Sequence, residues 1–210
     1  MNFYQYVKRH LIFVICLLVI GYGIVAYIHI VCPQKIGQTH TKGAAVAFVP
    51  MYNEDGSTVH AKLGIGYQQG LLIFESVVAL FATLILYRMI EYYCIFFGIK
   101  RIWSYFVDFG TASVLARFPT RLTGKYTLDY VYIKASHSVY DFFDFCIGIC
   151  IAGILIWMIP YCIKYHEYKR VHTVGMHFGQ KLLWEMKFGL HMIKSTFYPI
   201  KTWWKDIEKY

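Results

Sequence analysis

The sequence predicts an all-α integral membrane protein with about three transmembrane helices, over residues 11–32, 67–97 and 142–163, and further interfacial helices. Two observations support this fold class. Hydrophobic residues make up 58% of the chain and charged residues only 16%, with a mean hydropathy of +0.44, whereas an ordinary soluble domain carries roughly 25% charged residues. The apolar residues are concentrated in three long runs, as expected because a charged side chain is costly in hydrocarbon.

The first run, residues 11–31, contains no Asp, Glu, Lys or Arg and follows a short basic segment. Roughly 20 helical residues cross the hydrocarbon core, so this run is long enough to span it. The apolar core of a secretory signal peptide is shorter, roughly 7–15 residues, and the flank that starts at Cys32 lacks a small-x-small cleavage pattern. We therefore expect a retained first span.

A polar loop over residues 33–62 follows the first span. It contains Pro33, Pro50 and the sequence Asn-Glu-Asp-Gly at residues 53–56, which are typical of turns because they fix or permit unusual backbone angles. Residues 44–49 lie between these breakers and predict a short strand. We expect a small hairpin here, with its turn near Asn53.

The second run, residues 67–97, is longer than one crossing needs and carries polar residues. Glu75 lies well inside it, where a carboxylate must be paired, protonated or hydrated, and Gln68 and Gln69 lie one to two turns before it. These three residues are the candidates for a proton or transport pathway. The structural alternative is a neutral Glu75 that is hydrogen-bonded to a neighbouring helix.

Arg88 and Glu91 lie near the end of the same run, three residues apart. This spacing brings two side chains together on one helix face. It predicts a structural ion pair at the membrane boundary.

Residues 99–141 form a mixed interfacial segment. Its apolar part, residues 102–116, is short and is interrupted by Asp108 and Gly110. These interruptions favour an interfacial or re-entrant helix over a further span.

A second polar cluster, His137, Asp141 and Asp144, lies where the third run begins. The spacings of four and three residues place all three side chains on one helical face. One imidazole and two carboxylates can bind a divalent metal or relay protons. The alternative is a polar cap, since carboxylates near a helix N-terminus are favoured by the helix dipole.

The third run, residues 142–163, completes a membrane domain over residues 1–163. The remaining tail, residues 164–210, holds nine Lys or Arg, and apolar residues recur between them at helical spacing from Val174 onward. This pattern predicts a basic amphipathic C-terminal helix that lies in the interface or docks on a partner. Trp203 and Trp204 are expected to be interfacial anchors.

The distribution of basic residues conflicts with a three-span topology. With the N-terminus inside, 8 Lys or Arg fall on the inner side and 12 on the outer side, the reverse of the positive-inside rule. The tail returns to the inner side if residues 102–116 cross the membrane after all, or if the third run is re-entrant. We favour an inner N-terminus, because the first helix usually dominates orientation.

Function is only weakly indicated by the sequence. No phosphate-binding loop, dinucleotide fingerprint or nucleophile elbow is present, and the net charge of +9 comes without a nucleic-acid motif. We expect a non-catalytic small subunit of a larger membrane assembly, such as a secretion or conjugation machine or an energy-transducing complex. The expected partners are other membrane subunits and anionic lipid, with no cofactor and no nucleic acid.

Two alternatives stay open. One is a small transporter or channel component that uses Glu75, and the other is a membrane metalloenzyme that uses the cluster around Asp141. A bacterial inner membrane is the favoured location, and an organellar inner membrane is the alternative.

Overall fold

The computed structural model describes residues 3–31, 46–48, 69–123, 131–133, 138–199 and 202–203. The helices in these ranges are α1 (Phe3–Val31), α2 (Gln69–Phe96), α3 (Tyr105–Thr123), α4 (Phe142–His172) and α5 (Phe178–Thr196), and a short 3-10 helix, Arg101–Ser104, precedes α3.

Among the described residues, three helices are long and apolar enough to span a membrane, over Lys8–Tyr27 in α1, Ser76–Phe96 in α2 and Phe142–His172 in α4. Each coincides with one of the three predicted runs. The chain therefore has the helices of a multi-pass membrane protein.

A small sheet accompanies the helices. Its strands are β1 (Val46–Phe48), β2 (Val131–Ile133) and β3 (Ser138–Tyr140), paired antiparallel in the order β1-β2-β3. The predicted strand at residues 44–49 contains β1, whereas the turn near Asn53 lies outside the described residues. No local pattern in the sequence indicates the pairing of β1 with β2, because the two strands are more than 80 residues apart.

α3 lies inside the bundle and packs against α1, α2 and α4. Val107, Ala112 and Ser113 are completely buried. Small residues allow the close approach: a Cβ added at Gly110 would lie 2.9 Å from the Cys150 sulfur. Asp108 and Gly110, which interrupt residues 102–116, therefore face other helices rather than water. The interfacial or re-entrant placement of this segment stays a prediction.

Contacts along α3 fix the direction of its neighbours. His10 of α1 binds Asp108, and Tyr22 donates a hydrogen bond to the Ala116 carbonyl 2.9 Å away, so α1 and α3 run parallel. In α4, Asp141 lies against Arg117 near the far end of α3.

The remaining contacts complete the arrangement. Gly153 of α4 packs against Phe106 near the start of α3, so α4 runs antiparallel to α3. The end of α2 meets the start of α3, where Glu91 pairs with Arg101. The start of α1, the end of α2 and the end of α4 therefore share one end of the bundle, which we call the N-terminal end.

α4 continues to His172, beyond the predicted end of the span at residue 163. α5 then folds back along it, with the rings of Tyr165 and Phe188 stacked 6.0 Å apart and an ion pair between Lys169 and Glu185. We call residues 161–196 the α4–α5 hairpin. The tail is thus divided between two helices, and its first nine residues belong to the helix of the third span.

Trp203 is buried in the aromatic core at the N-terminal end, with 1% of its surface exposed. Its Nε1 donates to the Ser195 carbonyl at 3.0 Å, and its ring packs edge-on against Tyr92 at 5.4 Å. The prediction of an interfacial anchor is corrected for Trp203, because the fold-back of α5 carries this ring into the protein interior. Trp204 lies outside the described residues.

Candidate functional site

The main candidate site is a buried polar cluster at the N-terminal end of the bundle. His10 Nδ1 and Asp108 Oδ2 lie 2.6 Å apart, and Asp108 is 3% exposed. The His10 ring sits between the rings of Tyr87 and Tyr105, with centroids 4.8 and 4.6 Å away. An acid–base pair is therefore held within an aromatic shell between three helices.

An ion pair lies beside the His10–Asp108 hydrogen bond. Glu91 of α2 is 1% exposed and binds Arg101, with a distance of 2.7 Å from Oε2 to a guanidinium nitrogen. The 3-10 helix positions Arg101, and Ser104 closes this turn by donating to the Arg101 carbonyl at 2.7 Å. A cavity of about 300 Å³ opens onto both pairs and is lined by Arg9, His10, Glu91, Arg101, Ile102, Ser104 and Tyr105.

The chemistry of this cluster follows from its pairing. Each buried carboxylate has a basic partner, as buried charge requires. Such a cluster fixes the relative positions of α1, α2 and α3. The cavity gives it an opening through which water or a small ion can reach His10.

His10 and Asp108 are not among the site residues predicted from the sequence. In the sequence, Asp108 is notable only because it interrupts an apolar segment. His10 is notable only as part of the short basic segment before the first span. A signal existed, because a lone carboxylate in an apolar helix requires a partner. Nothing local indicated which residue, 98 positions away, supplies it.

No protein-family model, curated protein or solved structure matches this chain.

The predicted cluster at the start of α4 is described in part. Asp141 and Asp144 form a capping box, in which Asp141 accepts from the Asp144 amide at 2.6 Å and Asp144 accepts from the Asp141 amide at 3.0 Å. Arg117 of α3 pairs with both carboxylates. Burial raises the pKa of Asp141 to about 6, against the lowering effect of Arg117.

The metal-binding interpretation of this cluster stays a prediction, because His137 lies outside the described residues. Within the part of the chain that the structure describes, no three His, Cys, Asp or Glu side chains are arranged to hold a metal ion. What the described residues show is the alternative, a polar cap joined to α3 by Arg117.

The transport candidates also stay predictions. Gln69 and Glu75 fall on α2, but their side chains, and all of Gln68, lie outside what the structure describes.

The predicted pair of Arg88 with Glu91 is corrected. Glu91 faces the 3-10 helix and binds Arg101, whereas Arg88 faces α5 and donates to the carbonyls of Thr196 and Tyr198 at 2.8 and 2.6 Å. The guanidinium of Arg88 also lies over the Trp203 ring, 5.3 Å from its centroid. Three residues along a helix correspond to a rotation of about 60° from alignment, which is enough to give the two side chains different neighbours.

A second candidate site is the outward surface of α5. One face packs on the bundle through Phe188 and Met192, which are buried. The opposite face exposes an apolar stripe, which we define as Phe178, Leu182, Met186, Leu190, Ile193 and Phe197. These residues recur every three to four positions and so lie on one side of the helix.

Proposed function

We propose that this chain is a non-catalytic subunit of a larger membrane assembly, and that the apolar stripe of α5 is its surface for a partner subunit. The observation that carries the proposal is the exposure of this stripe: Phe178 is 83% exposed and Leu190 66%. A contiguous exposed apolar patch on a folded protein is typical of a protein–protein or membrane contact.

The position of α5 indicates that a protein partner, rather than the hydrocarbon of the bilayer, covers the apolar stripe. From Phe142, the roughly 20 residues that cross the bilayer end near Ile163, and Lys164, Glu167, Lys169 and Arg170 follow directly. α5 lies alongside that charged part of α4, as the pairing of Lys169 with Glu185 requires. The first half of the stripe, from Phe178 to Met186, therefore lies beyond the apolar part of α4, where lipid tails do not cover it.

The proposal includes four membrane crossings, with α3 as the fourth. α3 has 19 residues, about 28 Å of helix, and lies lengthwise among the three helices of spanning length. Its polar side chains need not contact lipid, because its neighbours cover them. The cost of a charge in the membrane falls when that charge faces the bundle and is paired, as Asp108 is with His10.

A topology with four crossings also removes the conflict between the charge distribution and the positive-inside rule. The N-terminal end then gathers 13 Lys or Arg from residues 1–10, 97–104 and 164–210, and the opposite side holds 6 from residues 32–68 and 118–141. This asymmetry agrees with the positive-inside rule and makes the N-terminal end the inner side. We propose a bacterial inner membrane as the location, because an apolar first span whose flank lacks a cleavage pattern fits a protein retained in that membrane.

Copurification from native membranes tests the proposal. The full chain should elute in mild detergent as part of a complex much larger than 24.6 kDa. Leu190→Glu, which places a charge in the stripe, should release the partner. Gln180→Glu adds the same charge on the same helix outside the stripe and should keep it.

Two results would reject the proposal. One is a monodisperse monomer of the unaltered chain that retains full function. The other is equal retention of the partner by Leu190→Glu and Gln180→Glu.

A further inference from the structure

A second cavity, of about 810 Å³, opens on the side of α4 where this helix leaves the apolar region. Its lining combines apolar and polar residues, and the polar ones include Glu167, Lys169 and Thr173. Cys162 and Ile163 are exposed and apolar, whereas His166, Arg170 and Lys181 are exposed and basic. The first four of these belong to α4, and Lys181 belongs to α5.

The order of these residues along α4 follows the expected depth in a bilayer. Cys162 and Ile163 lie at the end of the apolar run, and His166 and Arg170 lie one and two turns further out. Because α5 folds back along α4, Lys181 is brought to the same outer level. The cavity therefore has an apolar inner part and a basic outer part.

The charged residues in the outer part differ in whether they form an ion pair. Lys169 pairs with Glu185, and Glu167 pairs with Lys164 at 2.9 Å. Among the described residues, neither Arg170 nor Lys181 takes part in an ion pair. These two side chains supply positive charge that the described carboxylates do not neutralise.

From this arrangement we propose that the cavity binds the phosphate headgroup of an anionic membrane lipid. Arg170 and Lys181 contact the headgroup, and the acyl chains run along Cys162 and Ile163 into the hydrocarbon. A soluble anion would need only the basic outer part, whereas a lipid uses both parts. Basic pockets beside transmembrane helices on the inner side bind anionic lipid headgroups by the same physics. This inference is independent of the partner proposed for α5, since the cavity and the apolar stripe are different surfaces.

A thermal-unfolding titration of the purified full chain in neutral detergent tests the site. The added probes are phosphatidylglycerol, phosphatidylcholine and inorganic phosphate, each in a separate titration. We expect phosphatidylglycerol to raise the Tm saturably, with a much smaller effect from the other two. Arg170→Gln combined with Lys181→Gln should raise the half-saturating concentration roughly 30-fold, since each basic residue near an anionic surface contributes about fivefold.

The matched control is the double variant Lys187→Gln and Lys194→Gln, which removes the same charge from α5 outside the cavity. It should keep the affinity of the unaltered chain within about twofold, because charges outside the site act only through the weaker, screened field. All four substituted side chains are exposed, so the Tm without lipid reports directly whether each variant is folded.

Three results would overturn the proposal. Equal weakening in both double variants would show general attraction to charge rather than a site. A Tm rise with inorganic phosphate as large as that with phosphatidylglycerol would show a soluble-anion site. No saturable effect of phosphatidylglycerol would show that the cavity does not bind this lipid class.

Discussion

His10 in the second turn of α1 and Asp108 near the start of α3 form a hydrogen-bonded pair 2.6 Å apart, buried between parallel helices. The pair joins the first predicted span to a segment whose sequence predicts an interfacial or re-entrant helix. The hydrogen bond from His10 allows the Asp108 carboxyl group of α3 to be buried inside the bundle. It also places the start of α1 beside the start of α3.

Replacing His10 should destabilise the bundle, because it leaves Asp108 buried without its basic partner. We expect His10→Ala to lower the free energy of unfolding by about 3 kcal/mol, measured by denaturant titration in detergent. His166→Ala is the control, since His166 is exposed at the end of α4. If the two variants lose the same stability, the pair has no role in holding α1 to α3.

Gly153 permits the close contact between α4 and α3, since a Cβ there would overlap the ring and Cβ of Phe106. Gly153→Ala should cost roughly 1–3 kcal/mol through overpacking, although Ala favours helix more than Gly. Gly148→Ala lies on the same helix, where a Cβ would meet nothing within 4 Å. It should be neutral or slightly stabilising, and a neutral Gly153→Ala would contradict the packing described.

The pKa of Asp141 gives a pH dependence with a defined sign. Its pKa is about 6 in the folded protein, mainly because of burial, against a usual value of 3.8. Between these values the folded state binds more protons than the unfolded state, so stability should fall as the pH rises from about 4 to about 6. Measurements of Tm across this range should show the decrease.

Asp141→Asn should remove much of this decrease while keeping an N-cap, because Asn caps helices about as well as Asp. Glu167→Gln changes an exposed carboxylate of the same helix and should leave the profile unaltered. A pH profile for Asp141→Asn identical to that of the unaltered chain would argue against a raised pKa at this position.

Arg88 holds the end of α5 to α2 through the carbonyls of Thr196 and Tyr198. Side-chain cations at a helix C-terminus stabilise its last carbonyls. Arg88→Gln should therefore speed hydrogen exchange in the last turn of α5 roughly fivefold, equivalent to about 1 kcal/mol. Lys187→Gln, at an exposed position of α5, should leave this exchange rate unchanged. Equal exchange rates in the unaltered chain, Arg88→Gln and Lys187→Gln would show that Arg88 does not hold the helix.

The three long helices could be predicted from sequence because hydropathy and length are local properties. The role of α3 could not, since Asp108 and Gly110 look unfavourable until His10 and Cys150 are known to lie beside them. A helix packed against three other helices, as α3 is, does not need the apolar surface that identifies a lipid-facing span. The position of Trp203 depends in the same way on the fold-back of α5, which no local pattern indicates.

The partners of charged residues were the least predictable feature. Arg88 and Glu91 are correctly spaced to pair, yet Arg88 binds the Thr196 carbonyl and Glu91 binds Arg101. Spacing along a helix determines which side-chain ion pairs are possible. The tertiary arrangement of the helices determines which of them form.

The central claim is that α3 crosses the membrane, so that the N-terminus and the C-terminal tail lie on the same side. The most direct measurement is protease protection in sealed vesicles, with one epitope tag at each end of the chain and a third inserted at residues 53–56. We predict that the two terminal tags are both digested or both protected in a given vesicle orientation, and that the inserted tag shows the opposite response. Terminal tags with opposite responses would contradict the account, because they require an odd number of crossings.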